Sequence, residues 1–196
     1  MRSLLWIFIV TIIISGCNIQ SYTYTKKDIV RITDFELSPD EEIIAFSAIT
    51  PLGNLDIWVV DIEGKNPKKL TFQDSSLTNH IARYFKKRHW RNFYEIDMTS
   101  PSWTVDGRIL YCQELTKNSM WSSAVVNRIF WTINPDGSDK RQKTDKEQKA
   151  RKEPPGLINT FKVSDVSDKH KKGIFLKHGA LWYMNQGESI PKRLIQ

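Results

Sequence analysis

Four short strand-like runs, separated by turn residues, form the most regular part of the chain. Ile43–Phe46 is apolar at successive positions, which favours a strand covered on both faces. Ile57–Val60 is again β-branched and aromatic, and Asp61–Gly64 after it has the residues of a hairpin turn. Lys68–Thr71 is half polar, as an exposed edge strand should be. Together with the short run at 35–38, the pattern predicts four antiparallel strands in one small sheet.

A small sheet that is covered on both faces needs neighbouring sheets, and the chain contains two further copies of the pattern. The second copy contains the apolar run Ile109–Cys112 and the turn Asn134–Gly137. The third is less regular but keeps two central runs, Gly173–Leu176 and Leu181–Met184. We therefore expect an all-β fold, a partial β-propeller of about three four-stranded antiparallel blades.

The repeats place the propeller domain at residues 29–196. Its parts are blade units at about 29–71, 99–144 and 157–196, an insert at 72–98 with room for a short helix, and a charged loop at 138–153. Arg31–Thr33 resembles Lys69–Thr71 and is interpreted as the outer strand of a further blade whose inner part is missing or supplied elsewhere.

Ser38–Asp40, Ile44–Phe46, Asp56–Trp58 and Leu70–Thr71 follow one another in the order of TolB-like propeller repeats, which are relatives of WD-type repeats. The chain resembles that family strongly in the first unit, less in the second and weakly in the third. In the second unit, Val105 stands where proline is usual. The resemblance implies a module that binds proteins or associates with glycans through the ends of its central channel.

The first residues have the pattern of a secretory signal. Leu4–Ile14 is an apolar run too short to cross about 30 Å of hydrocarbon at about 1.5 Å per residue. It ends in Ile14–Cys17, which resembles the lipobox of bacterial lipoproteins and implies cleavage between Gly16 and Cys17, with diacylglyceryl on the Cys17 sulfur. The alternative is a buried N-terminal helix that ends in cysteine.

The lipobox reading predicts a signal peptide at residues 1–16, a tether at 17–28 and a domain held at a membrane by its acyl chains (palmitate among them). Asn18 follows the cysteine, whereas aspartate there commonly retains Gram-negative lipoproteins at the inner membrane. We therefore expect the outer membrane, facing the periplasm, in a Gram-negative cell. In any other cell we expect the outer face of the cell membrane.

The insert at 72–98 interleaves basic and aromatic side chains in a chain whose formal net charge is +7. Such a segment can contact an anionic surface, with cations pairing and rings packing. The residues that we predict to make this contact are Arg83, Lys86, Lys87, Arg88 and Arg91. The alternative is an insertion that packs its rings on the propeller and leaves its charges in water.

No motif for catalysis or metal binding is present in the sequence. It lacks a Gly-x-Ser-x-Gly elbow, and its four histidines have no cysteine or carboxylate at metal-ligand spacing. Asp40, Asp61, Asp106 and Asp136 each lie beside a turn, where turn capping accounts for them. Cys112 lies in an apolar strand and is expected to be a buried, inert thiol. We expect neither enzymatic activity nor a cofactor.

These observations predict a cell-envelope lipoprotein whose TolB-like propeller is a protein-interaction platform. The alternative is a lipoprotein that binds polysaccharide or a small molecule. Closed propellers usually have about four to eight blades, so an arc of three needs a cover for its end blades. The expected partners are the membrane, an envelope protein and a second copy of the chain. We do not expect nucleic acid.

Overall fold

Antiparallel β-sheet makes up most of the computed structural model, which describes residues 25–88, 92–144, 165–167 and 169–195. The strands in these residues form three four-stranded sheets, each built from strands that follow one another in the chain. One short α-helix lies between the first two sheets. The prediction of an all-β partial propeller with a short helix in the 72–98 insert is confirmed.

Blade 1 forms where the sequence pattern is most regular. Its strands are β1 (Arg31–Leu37), β2 (Ile43–Ile49), β3 (Leu55–Asp61) and β4 (Lys68–Lys69). The central strands β2 and β3 are buried along almost their whole length, as their unbroken apolar runs predict. The turn between β1 and β2 closes on the Asp40 carboxylate, which accepts from the Ser38 hydroxyl and the Glu42 amide.

The interpretation of Arg31–Thr33 as an outer strand of another blade is wrong. These residues are the first half of β1, which pairs directly with β2. A bulge between Ile32 and Asp34 interrupts the register, and the Asp34 carboxylate accepts from the Phe35 amide at 2.9 Å. Because the bulge breaks the alternation, the sequence shows two short runs where the fold has one strand.

Blade 2 extends further than the sequence pattern indicates. Its strands are β5 (Phe93–Trp103), β6 (Ile109–Asn118), β7 (Ser123–Ile133) and β8 (Arg141–Gln142). Since β5 begins at Phe93, its first residues belong to the second blade and not to the insert at 72–98. They pair with the end of β6, where Tyr94 lies opposite Lys117. Cross-strand pairing rather than deep burial therefore orders this polar arm of the blade.

Blade 3 is the least regular in sequence but has the same topology. Its strands are β9 (Asp165–Ser167), β10 (Lys172–Lys177), β11 (Ala180–Asn185) and β12 (Lys192–Ile195). The two runs predicted as its central strands lie within β10 and β11, which pair with each other.

Blade 1 lies between the other two. One core cluster joins Ile57 and Val59 of blade 1 to Ile109 and Tyr111 of blade 2. The other face of blade 1 packs on blade 3, in a cluster that includes Phe46, Trp58, Ile174 and Leu181. The order in space is therefore blade 2, blade 1, blade 3, so the last unit of the chain packs against the first.

The helix α1 (Leu77–Lys87) packs beside the start of β5. The Ser76 hydroxyl caps it by accepting from the Asn79 amide at 3.2 Å, and Lys86 and Lys87 in the last turn complement the helix dipole. Asn79 and Ala82 are its buried residues.

Candidate functional site

The loops between the second and third strands of all three blades lie at one end of the arc, which we call the hairpin end. They are residues 50–54, 119–122 and 178–179. The blade-to-blade contacts fix this common direction: the Ile32 amide, at the start of β1, donates to the Gly179 carbonyl at 2.7 Å. The Leu55 amide, just after the first loop, donates to Asp97 of β5 at 2.9 Å. The opposite end, with the other turns, is called the turn end.

Asn79 attaches α1 to the free edge of β5. Its side-chain amide donates to the Ile96 carbonyl, and its side-chain oxygen accepts from the Ile96 amide, both at 2.7 Å. The same amide group donates to the Gln73 carbonyl at 3.2 Å. One fully buried side chain thus supplies the hydrogen bonds that a neighbouring strand would make, and it fixes α1 at the hairpin end.

Two basic residues of α1 attach the helix to a loop of blade 1 and to a strand of blade 2. Arg83 donates to the Asn54 side chain at 2.9 Å, so it is half-buried against the 50–54 loop. Lys86 forms an ion pair with Glu95 at 2.5 Å, and Glu95 accepts from Asn118 at 2.9 Å. These contacts place the last turn of α1 beside the base of the 119–122 loop.

The structure therefore divides the basic residues predicted to contact an anionic surface. Arg83 and Lys86 are engaged within the fold, whereas Lys87 and Arg88 are exposed, with the Arg88 guanidinium 4.7 Å from the Tyr84 ring centroid. Arg91 lies outside the described residues.

The predicted lipidation and cleavage residues, Gly16 and Cys17, also lie outside the described residues, together with the whole predicted signal peptide.

Large apolar side chains are exposed at the hairpin end. Trp121 is 86% exposed in the 119–122 loop, and Leu77 is 73% exposed on α1. The other exposed members at this end are Val30, Leu52, Ile81, Tyr84, Tyr94 and Met120. No sequence motif singled out Met120 or Trp121, although two adjacent large apolar residues between polar neighbours were a signal.

Charge is distributed unevenly between the two ends. Exposed basic side chains at the hairpin end are Lys26, Lys27, Lys87, Arg88 and Lys117. The two carboxylates beside them that belong to β5 are engaged, Glu95 with Lys86 and Asn118, and Asp97 with the Leu55 amide. Burial raises the pKa of Asp97. Half of the 18 described acidic residues lie in or beside the turns of the turn end. There Glu42, Glu63 and Glu188 pair with Lys169, Lys172 and Lys192. The nine residues are Asp40, Glu41, Glu42, Asp61, Glu63, Asp106, Asp136, Asp139 and Glu188.

The outward face of blade 3 forms a second surface of interest. On β10 and β11, Ile174 and Leu181 point toward blade 1, so their neighbours Phe175 and Trp182, which are paired across the strands, occupy the other face. Met184 on this face is 39% exposed. Lys177 and Arg193 lie at the Trp182 ring, each 6.0 Å from its centroid. This face is aromatic with a basic margin.

A buried ion pair between β3 and β4 was not predicted from the sequence. The Lys69 ammonium lies 3.0 Å from the Asp56 carboxylate, and both side chains are fully buried. Asp56 also accepts from the Thr71 hydroxyl at 2.7 Å and the Gln73 amide at 2.9 Å. The half-polar pattern of Lys68–Thr71 predicted an exposed edge, but only Lys68 is exposed there.

The predicted turn-capping roles of the aspartates are confirmed where hydrogen bonds show them. Asp61 accepts from the Lys65 amide at 2.6 Å, and Asp136 accepts from the Ser138 amide at 2.8 Å. Hydrogen bonds from Thr104 and Ser138 lower the pKa values of Asp106 and Asp136. Cys112 is 4% exposed in β6, as the apolar run predicts.

Within the described ranges, no three His, Cys, Asp or Glu side chains are placed to hold a metal ion. The Nε2 atom of His170 lies 3.7 Å from the Glu42 carboxylate. None of the helices described is long and apolar enough to cross a bilayer.

Comparison with solved structures shows structural similarities. No protein-family model and no curated protein matches the chain. A solved structure described as "putative TolB from Agrobacterium tumefaciens" aligns with 84% of this chain and 65% of that one, with 12% identity and a TM-score of 0.27. The chain thus covers less than two thirds of that structure, and a similarity of this strength carries no argument about function.

Proposed function

We propose that this chain is a cell-envelope lipoprotein, anchored through Cys17, whose partial propeller is a non-catalytic protein-interaction platform. The observation that carries the proposal is the outward face of blade 3, where Phe175, Trp182 and Met184 are partly exposed within a basic margin. Aromatic, methionine and arginine side chains are enriched at protein interfaces.

The geometry of the arc explains why a partner would use this face. In blade 1 both flat faces are covered by neighbouring blades, and the two core clusters are the result. Blade 3 presents the equivalent flat face without a fourth sheet among the described residues. A partner that supplies an apolar surface with an acidic margin would complete the packing and pair with Lys177 and Arg193.

Site-specific photocrosslinking tests the platform. A photoreactive amino acid replaces Met184 in the full chain, and a matched control carries it at Val105, an exposed residue of the turn end. We expect one discrete crosslinked protein from the Met184 position in intact cells, and much less of it when Trp182→Ala is added. Equal crosslinking from both positions would contradict the proposal, and a product of twice the chain's mass would identify a second copy as the partner.

The anchor is tested separately by mass spectrometry of the mature N-terminus. We expect a chain that begins at an acylated Cys17, and a Cys17→Ala chain that keeps its signal peptide. An unmodified mature chain beginning at Met1 would remove the lipoprotein assignment and leave the platform to be judged by crosslinking. A glycan array run with the same protein decides the alternative of polysaccharide binding.

A further inference from the structure

The outward face of α1 is apolar where a helix on a protein surface is normally polar. Leu77, Ile81 and Tyr84 follow one another at spacings of four and three residues, so they lie on one side of the helix. Their exposed fractions are 73%, 43% and 50%. The buried residues Asn79 and Ala82 lie on the side that faces β5.

The tip of the β6–β7 hairpin adds a second apolar element beside the helix. Met120 and Trp121 lie at this tip, where the Ser119 amide donates to the Ser122 carbonyl at 2.8 Å and closes the turn. Asn118 connects the tip to the helix. Its side-chain oxygen accepts from the Ser123 hydroxyl at 2.7 Å, and its side-chain amide donates to Glu95, the ion-pair partner of Lys86. The apolar stripe of Leu77, Ile81 and Tyr84 and the hairpin tip are therefore held in one fixed arrangement.

Exposed basic residues lie at the same end of the fold as these apolar groups. Lys87 and Arg88 extend the helix, Lys117 lies on the hairpin, and Lys26 and Lys27 lie in the first described turn. Tryptophan and tyrosine are favoured at the headgroup level of a bilayer, and lysine and arginine pair with anionic headgroups. Apolar side chains within a basic rim thus match the interface of an anionic membrane.

We propose that the hairpin end docks on an anionic lipid bilayer, with Trp121, Met120 and the Leu77–Ile81–Tyr84 stripe entering the headgroup region. The distribution of charge gives the same orientation, because the acidic turns lie at the opposite end and point away from the lipid. The outward face of blade 3 then stands beside the bilayer, accessible to a partner.

The position of the chain start also favours this orientation and rests on the proposed anchor. The described chain begins at Thr25, and five residues later the Val30 amide donates to the Ile49 carbonyl at 2.9 Å, next to the 50–54 loop. Cys17 precedes Thr25 by eight residues, which reach at most about 28 Å when fully extended. An acyl anchor at Cys17 would therefore keep the hairpin end close to the membrane surface.

Depth-dependent fluorescence quenching tests the docking. The Met120→Cys chain carries an environment-sensitive probe on the introduced thiol. The matched control carries the same probe on Val105→Cys, at the turn end. Both chains lack residues 1–17, the predicted signal peptide and Cys17, and contain Cys112→Ala. The probe site is therefore unique, and docking is measured without the acyl anchor or the apolar run at residues 4–14. The vesicles contain phosphatidylcholine and phosphatidylglycerol, with a nitroxide-labelled lipid as the quencher.

We expect quenching at position 120 to be several-fold stronger than at position 105. Lys87→Glu with Arg88→Glu, or Trp121→Ser, should reduce quenching at position 120 by several-fold, and vesicles of phosphatidylcholine alone should do the same. Equal quenching at both positions would overturn the proposal. Quenching at position 120 that stays the same both in phosphatidylcholine vesicles and in the Lys87→Glu, Arg88→Glu variant would overturn it as well. In a separate sample with an envelope extract and no vesicles, shielding of the probe at position 120 by an envelope protein would also overturn it. Absence of acylation at Cys17 would contradict only the proposed lipid anchor. It would not affect the docking test, which is carried out without Cys17.

Discussion

Lys69 is an integral part of the interior. Its ammonium pairs with Asp56, while the Trp58 and Phe72 ring centroids lie 5.8 Å and 5.5 Å from it. Taking two charges out of water has a desolvation cost in free energy. The ion pair offsets that cost only through its geometry and the added hydrogen bonds from Thr71 and Gln73. Removing one partner therefore leaves the other buried without compensation.

Lys69→Met tests this arrangement, because methionine keeps an apolar stem against the two rings and removes only the charge. At pH 8 we expect a loss of about 3 kcal/mol in the free energy of unfolding, measured by urea denaturation. The loss should be smaller at pH 5, where Asp56 takes up a proton and no unpaired charge remains. Lys65→Met, at an exposed position of the loop between β3 and β4, is the control and should cost less than about 0.5 kcal/mol. Equal losses for both variants would contradict the buried pair.

Asp56 also gives the fold a dependence on pH. Burial raises the pKa of Asp56 to about 7, against the opposing effects of Lys69, the Gln73 amide and the Thr71 hydroxyl. The folded chain therefore holds this proton more tightly than the unfolded chain, whose aspartate has a pKa near 3.8. Its contribution to the free energy of unfolding is full below about pH 4 and falls as the pH rises through about 7.

The measurement compares the parent chain with Asp56→Asn across this range, because Asp40, Asp106 and Asp136 have lowered pKa values and shift stability in the other direction. We expect the stability of the parent relative to Asp56→Asn to decrease from pH 4 to pH 8. A relative stability that increases with pH would show that the attraction of Lys69 outweighs burial.

At the element scale, Asn79 decides whether α1 stays on the sheet. Asn79→Ala removes three side-chain hydrogen bonds and leaves the Ile96 amide and carbonyl without their Asn79 partner. We expect a loss of about 2 to 3 kcal/mol in the free energy of unfolding and faster hydrogen exchange at the Ile96 amide. Thr78→Ala, in the same turn of the helix, is the control. Unchanged exchange at Ile96 would mean that Asn79 does not hold the edge of β5.

The elements that the sequence predicts well are those whose signal is local. The turn residues around Asp40, Asp61 and Asp136 and the unbroken runs of β2 and β3 are such signals. The first half of β5 was missed because it is held by pairing with β6, which leaves only a weak apolar pattern. Asn79 was missed because a single polar residue in a helical segment does not reveal the strand edge that it contacts.

At the scale of the whole molecule, the order of the blades could not be read from the repeats. Each repeat predicts a sheet, but the packing of one sheet on another depends on surfaces that are distant in sequence. The contact between blades 1 and 3 involves Ile32 and Gly179, and also Gly64 and Leu194. The roles of the basic residues at the hairpin end could not be read from the sequence either. In the folded chain Arg83 and Lys86 contact Asn54 and Glu95, whereas Lys87 and Arg88 are exposed.

Two glycines with the same backbone conformation test the packing of blade 3 on blade 1. Gly64 and Gly107 both have φ of 72°, so alanine at either position carries a similar backbone cost of about 1 to 2 kcal/mol. A Cβ atom at Gly107 would meet nothing within 4 Å, whereas at Gly64 it would lie 2.5 Å from the Leu194 carbonyl oxygen of β12. Gly64→Ala must therefore push blade 3 away from blade 1, and we expect it to lose about 1 to 3 kcal/mol more than Gly107→Ala in urea denaturation. Faster hydrogen exchange in β10 to β12 of the Gly64 variant alone should accompany this loss, since these strands would be displaced from their core. Equal losses for the two variants, with unchanged exchange in blade 3, would mean that the last blade does not pack on the first.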